Sequence, residues 1–148
     1  MNIKLFHEAI HLLQGELSPE TGIILDLKEE DVLPMADLLV RYDLPSDRQS
    51  RLLSIYIAIK LALLRHSSCE GSGEYLTRQV LDGDYLYSFY VQLCLQWEEY
   101  ELLSHLAPII KQIQIKAIEG TPEEERLLKG WELFLQLENT HSRASQAI

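Results

Sequence analysis

Proline and glycine are thin in this chain, at five and seven of 148 residues, too few for the turn density of an all-β fold. Cysteine is scarcer still. Cys69 and Cys94 stand in neither a Cys-x-x-Cys pair nor a dense framework, and so read as two reduced thiols in a cytoplasmic protein. Basic residues are in deficit: 13 Lys and Arg face 23 Asp and Glu, for a formal charge of −10. That balance argues against a nucleic-acid partner, whose phosphates require clustered cations, and disfavours adsorption to an anionic membrane. No apolar run nears the ~18–20 residues of a membrane span, and no charged-then-apolar leader opens the chain, so no integral membrane segment is expected. The sequence also lacks a phosphate-cradling glycine loop, and His66, Ser67 and Ser68 have no nucleophile elbow around them. No two aspartates are adjacent anywhere.

Leu, Ile, Glu and Gln are plentiful, which favours helices. Apolar residues make up 47% and charged residues 24%, ordinary for a soluble globular protein, and a chain of this length fits one domain that buries roughly 70% of its unfolded surface. Ile3, Phe6, Ile10, Leu13 and Leu17 recur at helical spacing over residues 3–17, and Ser18-Pro19-Glu20-Thr21-Gly22 breaks the chain. A second helix is expected from about Glu29 to Arg41, with Pro34 tolerated near its start. Ser46-Asp47-Arg48-Gln49 reads as a capping box that launches the most apolar segment, Leu52 to Leu64, where only Ser54 and Lys60 are polar. Such a helix belongs at the centre.

A flexible loop follows at residues 67–73, then a fourth helix from about Glu74 to Trp97 and a fifth from Tyr100 to Glu119, kinked or interrupted at Pro108. Gly120 stops it. Thr121-Pro122-Glu123-Glu124 supplies an N-cap and an N1 proline for a sixth helix over 122–138. The expected fold is all-α, a six-helix bundle in one domain over 1–138, with the tail from Asn139 frayed.

Three patterns invite chemistry. His7-Glu8-Ala9-Ile10-His11 matches the zincin H-E-x-x-H, with Glu29, Glu30 or Asp31 as a conceivable third ligand, but a sheet normally precedes such a motif and none fits here. Asp82 and Asp84 point ~200° apart on a helix and do not grip one ion; Gly83 between them reads as a place where another helix comes close. The acidic runs Glu29-Glu30-Asp31 and Glu123-Glu124-Glu125 sit at helix starts, where negative charge suits the macrodipole. The aromatics Tyr85, Tyr87, Phe89 and Tyr90 cover more than one face of a single helix, which points either to core packing or to a subunit interface.

Val80-Leu81-Asp82-Gly83-Asp84-Tyr85-Leu86 resembles the V-L-x-G-D-Y-L helix of trans-polyprenyl diphosphate synthases, all-helical enzymes that lengthen allylic diphosphates with isopentenyl diphosphate. The likeness runs from about Met35 to Phe134 and is strongest over residues 52–119. It is closest to the small subunit of the heterodimeric hexaprenyl or heptaprenyl diphosphate synthases. The resemblance implies a fold like the N-terminal half of the isoprenoid synthase fold. Catalytic members carry an Asp-Asp-x-x-Asp magnesium motif upstream of this helix, where this chain has His66-Ser67-Ser68. The Arg-Arg-Gly stretch after that motif is absent, with Arg78 the only base there, and so is the Gly-Lys-x-x-Arg segment that holds isopentenyl diphosphate. The second aspartate-rich motif is absent too. Lys129-Gly130-Trp131-Glu132-Leu133-Phe134 is similar to the Lys-Thr-x-x-Leu-Phe turn whose lysine contacts diphosphate, with Gly130 replacing the threonine.

The resemblance therefore implies a non-catalytic subunit without catalytic, cofactor or metal-binding residues of its own. It would pair with a large catalytic subunit that holds Mg2+, and the pair would build the menaquinone side chain. By the same likeness the partner interface comprises Leu81, Asp84, Tyr85, Tyr87, Ser88, Tyr90 and Val91 on the fourth helix, and Leu102, Leu106, Ile109 and Ile113 on the fifth. The other reading is a generic helical adaptor; a zinc peptidase is a remote third.

Overall fold

The apolar stripes of the sequence become six α-helices in the computed structural model, which describes residues 2–67, 71–123 and 125–146, with side chains to residue 142. They are α1 (Ile3–Glu16), α2 (Glu29–Arg41), α3 (Ser46–Ser67), α4 (Gly73–Gln96), α5 (Tyr100–Ile118) and α6 (Arg126–Gln146), with a short 3-10 helix at Pro19–Thr21. No strand occurs among the described residues. Ser68, Cys69 and Glu124 lie outside them. The helices group into two compact units, Met1–Trp97 and Glu98–Ile148.

In the first unit α3 is the hub, packed by α1, α2 and α4. Every residue from Leu52 to Ile59 is buried, as are Leu61 and Ala62, because an all-round apolar helix must be covered on every side. Each large aliphatic buried there contributes about 1.5–3 kcal/mol. Ser54, fully buried, places its hydroxyl 2.8 Å from the Ser50 carbonyl and 3.0 Å from that of Ala9. The hydroxyl donates to one of them at a time, so a polar atom is satisfied where α1 crosses the hub. Met35, Ala36 and Leu39 of α2, Ala9 and Leu13 of α1 and Leu86, Phe89 and Leu93 of α4 are buried with it.

Residues 22–28 between the 3-10 helix and α2 run without helix, and two arginines strap the chain over residues 21–26. Arg78 donates to the Thr21 carbonyl at 2.6 Å, and Arg65 donates to the Ile24 carbonyl and to Asp26 Oδ1, both at 3.0 Å.

The second unit is a helical hairpin in which α5 packs with α6. Leu102, Leu106, Ile110 and Ile113 of α5 and Leu127, Trp131, Phe134 and Leu135 of α6 are buried. His105 Nε2 lies 2.9 Å from the Gly130 carbonyl. A Cβ at Gly130 would stand 2.9 Å from Ile109 Cδ1, so glycine sets how near the helices come there.

Several boundaries differ from the sequence reading. The capping box does not form as drawn: α3 begins at Ser46, the Pro45 carbonyl accepts from the Gln49 N–H at 2.9 Å, and the Gln49 amide donates to the Leu44 carbonyl at 2.7 Å. Pro34 sits inside α2, not in its first turn, and α5 runs unbroken through Pro108. Both prolines are exposed. Thr121 closes α5 instead of opening α6: its N–H donates to the Lys116 carbonyl and that of Gly120 to the Ala117 carbonyl, with Gly120 at φ +82°. That is a Schellman motif, so α6 starts later, at Arg126, and it continues past Asn139 to Gln146.

Candidate functional site

The α4 sequence carries its apolar residues on one stripe and leaves the opposite one to solvent. Gly83, Leu86, Tyr90 and Leu93, three or four residues apart, are buried, as the interior side of a helix that packs on α3 must be. On the other side Glu74, Thr77, Leu81, Asp84, Ser88, Gln92 and Leu95 keep the same spacing and are all exposed. Two of them are large and apolar, Leu81 at 60% and Leu95 at 51% exposure. This stripe runs the length of a 24-residue helix and sets the two leucines apart among polar residues.

Between the two stripes lies the most specific side-chain arrangement of the first unit. The imidazole of His66, from the last turn of α3, occupies the space a side chain at Gly83 would need. Its Nε2 is 3.0 Å from Asp84 Oδ1, and its ring lies 5.0 Å from that of Tyr87. Gly83, Asp84 and Tyr87 thus form a socket for a histidine brought from another helix. Tyr87 in turn meets Tyr90 edge-on at 6.4 Å, while Tyr85 stacks on Phe89 at 5.8 Å. The Tyr90 phenol is pushed up to about 12, by burial first and by the neighbouring Cys94 second.

Asp82 and Asp84 serve different partners, as the helical angle between them requires. Arg78 Nε holds Asp82 at 3.0 and 3.2 Å, and His66 holds Asp84. This set does not suit magnesium, which takes several oxygen ligands; one imidazole and two carboxylates committed elsewhere cannot provide them. Among the described residues no group of three His, Cys, Asp or Glu side chains is placed to hold a metal. In the H-E-x-x-H segment His7 Nε2 lies 3.4 Å from Glu29 Oε1, Glu8 pairs with Lys4 at 3.9 Å, and both histidines are exposed. No helix among the described residues is long and apolar enough to cross a membrane.

The structure sorts the expected interface residues into three groups. Leu81, Asp84 and Ser88 lie on the open stripe of α4. Tyr85, Tyr87, Val91 and Ile109 are half-buried. Tyr90, Leu102, Leu106 and Ile113 are interior: Tyr90 falls in register with Leu86 and Leu93, and the three α5 residues form the one stripe on which that helix is buried. Leu95 and Gln92, on the open stripe, were absent from the expected set; their seven-residue and four-residue spacing from Ser88 was the available signal. Lys129 is exposed and lies 3.4 Å from Glu125 Oε2, beside an open apolar groove of about 340 Å³ that Pro108, Ile109 and Leu133 help to line.

No protein-family model, no curated protein and no solved structure matches the chain.

Proposed function

We propose that this chain is the non-catalytic subunit of a heterodimeric trans-polyprenyl diphosphate synthase, and that it docks on a larger catalytic subunit through the open stripe of α4. The observation that carries the reading is the His66 socket. At the end of α3, where the resemblance puts magnesium-binding carboxylates in catalytic synthases, this chain has an imidazole that folds back onto Gly83 and engages Asp84. Ionising an allylic diphosphate requires a metal to neutralise the leaving group. A scaffold whose polar groups at that point bind one another contributes shape instead.

In this reading the partner holds the magnesium ions and performs ionisation, condensation and proton elimination. This chain completes the partner's fold and helps line or cap the tunnel that takes the growing isoprenoid, destined for the menaquinone side chain. The Leu81–Leu95 stripe supplies the contact.

The test is co-expression with a prenyl diphosphate synthase chain that carries both Asp-Asp-x-x-Asp motifs. The two should co-purify and elongate an allylic diphosphate with isopentenyl diphosphate and magnesium, while this chain alone gives no product. Elongation by the purified chain alone overturns the proposal. A complex that gains no elongation from this chain reduces it to a plain helical adaptor.

A further inference from the structure

We infer that His7, His11 and Glu29 form a site for a transition-metal ion of the Zn2+ or Co2+ type, which clips α1 to the first turn of α2. The inference is independent of the docking role proposed above.

His7 and His11 stand four residues apart on α1 and both are exposed, the spacing at which two imidazoles share one helix face and chelate one ion. Packing holds that face outward, since Leu5, Phe6, Ala9 and Leu13 are buried on the other side of the helix. The contact of α1 with α2 brings a carboxylate to the same place. Glu29 Oε1 lies 3.4 Å from His7 Nε2, long for a hydrogen bond. Two ligands each 2.0–2.1 Å from a tetrahedral ion stand about 3.3–3.4 Å apart, so the separation is that of neighbours on one zinc. His11 is the third ligand. Its ring as placed does not complete the set. It makes no hydrogen bond or ion pair among the described residues, however, and reaches the ion by rotation about its own side-chain bonds. Two histidines, a glutamate and a water are a known zinc set. Hydrolysis is not part of the assignment. Glu8, the residue that activates water in a zincin, serves other partners: its Oε1 lies 3.9 Å from Lys4 Nζ and its Oε2 accepts from the Ser50 hydroxyl at 3.4 Å. The ion acts as a clip, on the same pair of helices that the 2.6 Å hydrogen bond from Asn2 to Asp37 already joins.

The experiment titrates the full chain, first stripped of metal with a chelator, with Co2+ and with Zn2+. Co2+ should bind as a single equivalent, with the intense visible absorption of a tetrahedral ion, and Zn2+ should displace it. Zn2+ should also raise the thermal midpoint, because an ion that binds only the folded chain adds to its stability. His7→Ala, His11→Ala and Glu29→Gln should each weaken binding about tenfold or more, while Glu8→Gln and His141→Ala should bind as the parent chain does. All five positions are exposed, and circular dichroism checks that the helices persist. No saturable binding, or binding that both His7→Ala and His11→Ala retain, overturns the inference. Full affinity in Glu29→Gln, or binding that leaves the thermal midpoint where it was, overturns it as well, since the ion then does not join α1 to α2.

Discussion

At Gly83 a methyl group would fall within the volume of the His66 ring, so Gly83→Ala should force the imidazole out of its socket. Net stability is a poor readout of this, because alanine gains up to ~1 kcal/mol over glycine in a helix interior and opposes the lost contacts. The coupling between His66→Ala and Asp84→Ala reads it directly. A double-mutant cycle should give about 0.2–1 kcal/mol with Gly83 in place, the range for a partly exposed pair, and close to zero in the Gly83→Ala background. An unchanged coupling would show that the ring does not need the glycine. Two buried phenols couple stability to alkaline pH. Tyr56 and Tyr90 are buried and both are pushed up to about 12, with Asp31 adding to the burial of the first and Cys94 to that of the second. Between pH 10 and about 12 the folded chain then holds more protons than the unfolded one, so stability falls as pH rises through that window. Urea midpoints measured across it should drop, and Tyr90→Phe should flatten the decline.

Helix ends are where the elements carry strain. Glu98 follows the last turn of α4 at φ +57° and Asp43 follows α2 at φ +52°, the left-handed region that glycine adopts without cost. Glu98→Gly should raise stability by about 1 kcal/mol, seen as a higher urea midpoint with unchanged slope; Asp43→Gly should gain less, since aspartate tolerates the region. All six helices were legible, the first from apolar spacing, the third from its nearly unbroken apolar run, and the last three from the loop, glycine and cap residues that bound them. Where boundaries slipped, the deciding partner was local but ambiguous. Thr121-Pro122 has the composition of a helix start, yet the Schellman bonds to Lys116 and Ala117 claim Thr121 for the helix before it. The site was half legible. Gly83 was readable as a point of close approach, and Asp82 and Asp84 as divergent. That the approaching group is His66, and that Tyr90 is covered by the packing of its stripe, depends on the register of α3 against α4, which neither helix encodes alone. The arginine contacts to Thr21 and Ile24 span still longer separations and leave no local pattern.

For the molecule as a whole, the two ways of damaging α4 separate folding from docking. Leu81→Glu sits at 60% exposure and should shift thermal stability by no more than about 0.5 kcal/mol while it abolishes co-purification with a catalytic subunit. Tyr90→Asp, in contrast, puts a carboxylate into an interior position and should unfold the first unit, visible as lost helical circular dichroism before any partner is added. If Leu81→Glu binds and supports elongation as well as the parent chain, the open stripe is not the contact. The strap over residues 21–26 has a practical corollary. Its two arginines grip main-chain oxygens at Thr21 and Ile24, groups that every amino acid possesses, while the Ile24 side chain stands 72% clear of the protein. Mutational drift at that position should be cheap so long as Arg65 and Arg78 survive, which makes it a natural attachment point for a fluorescent label.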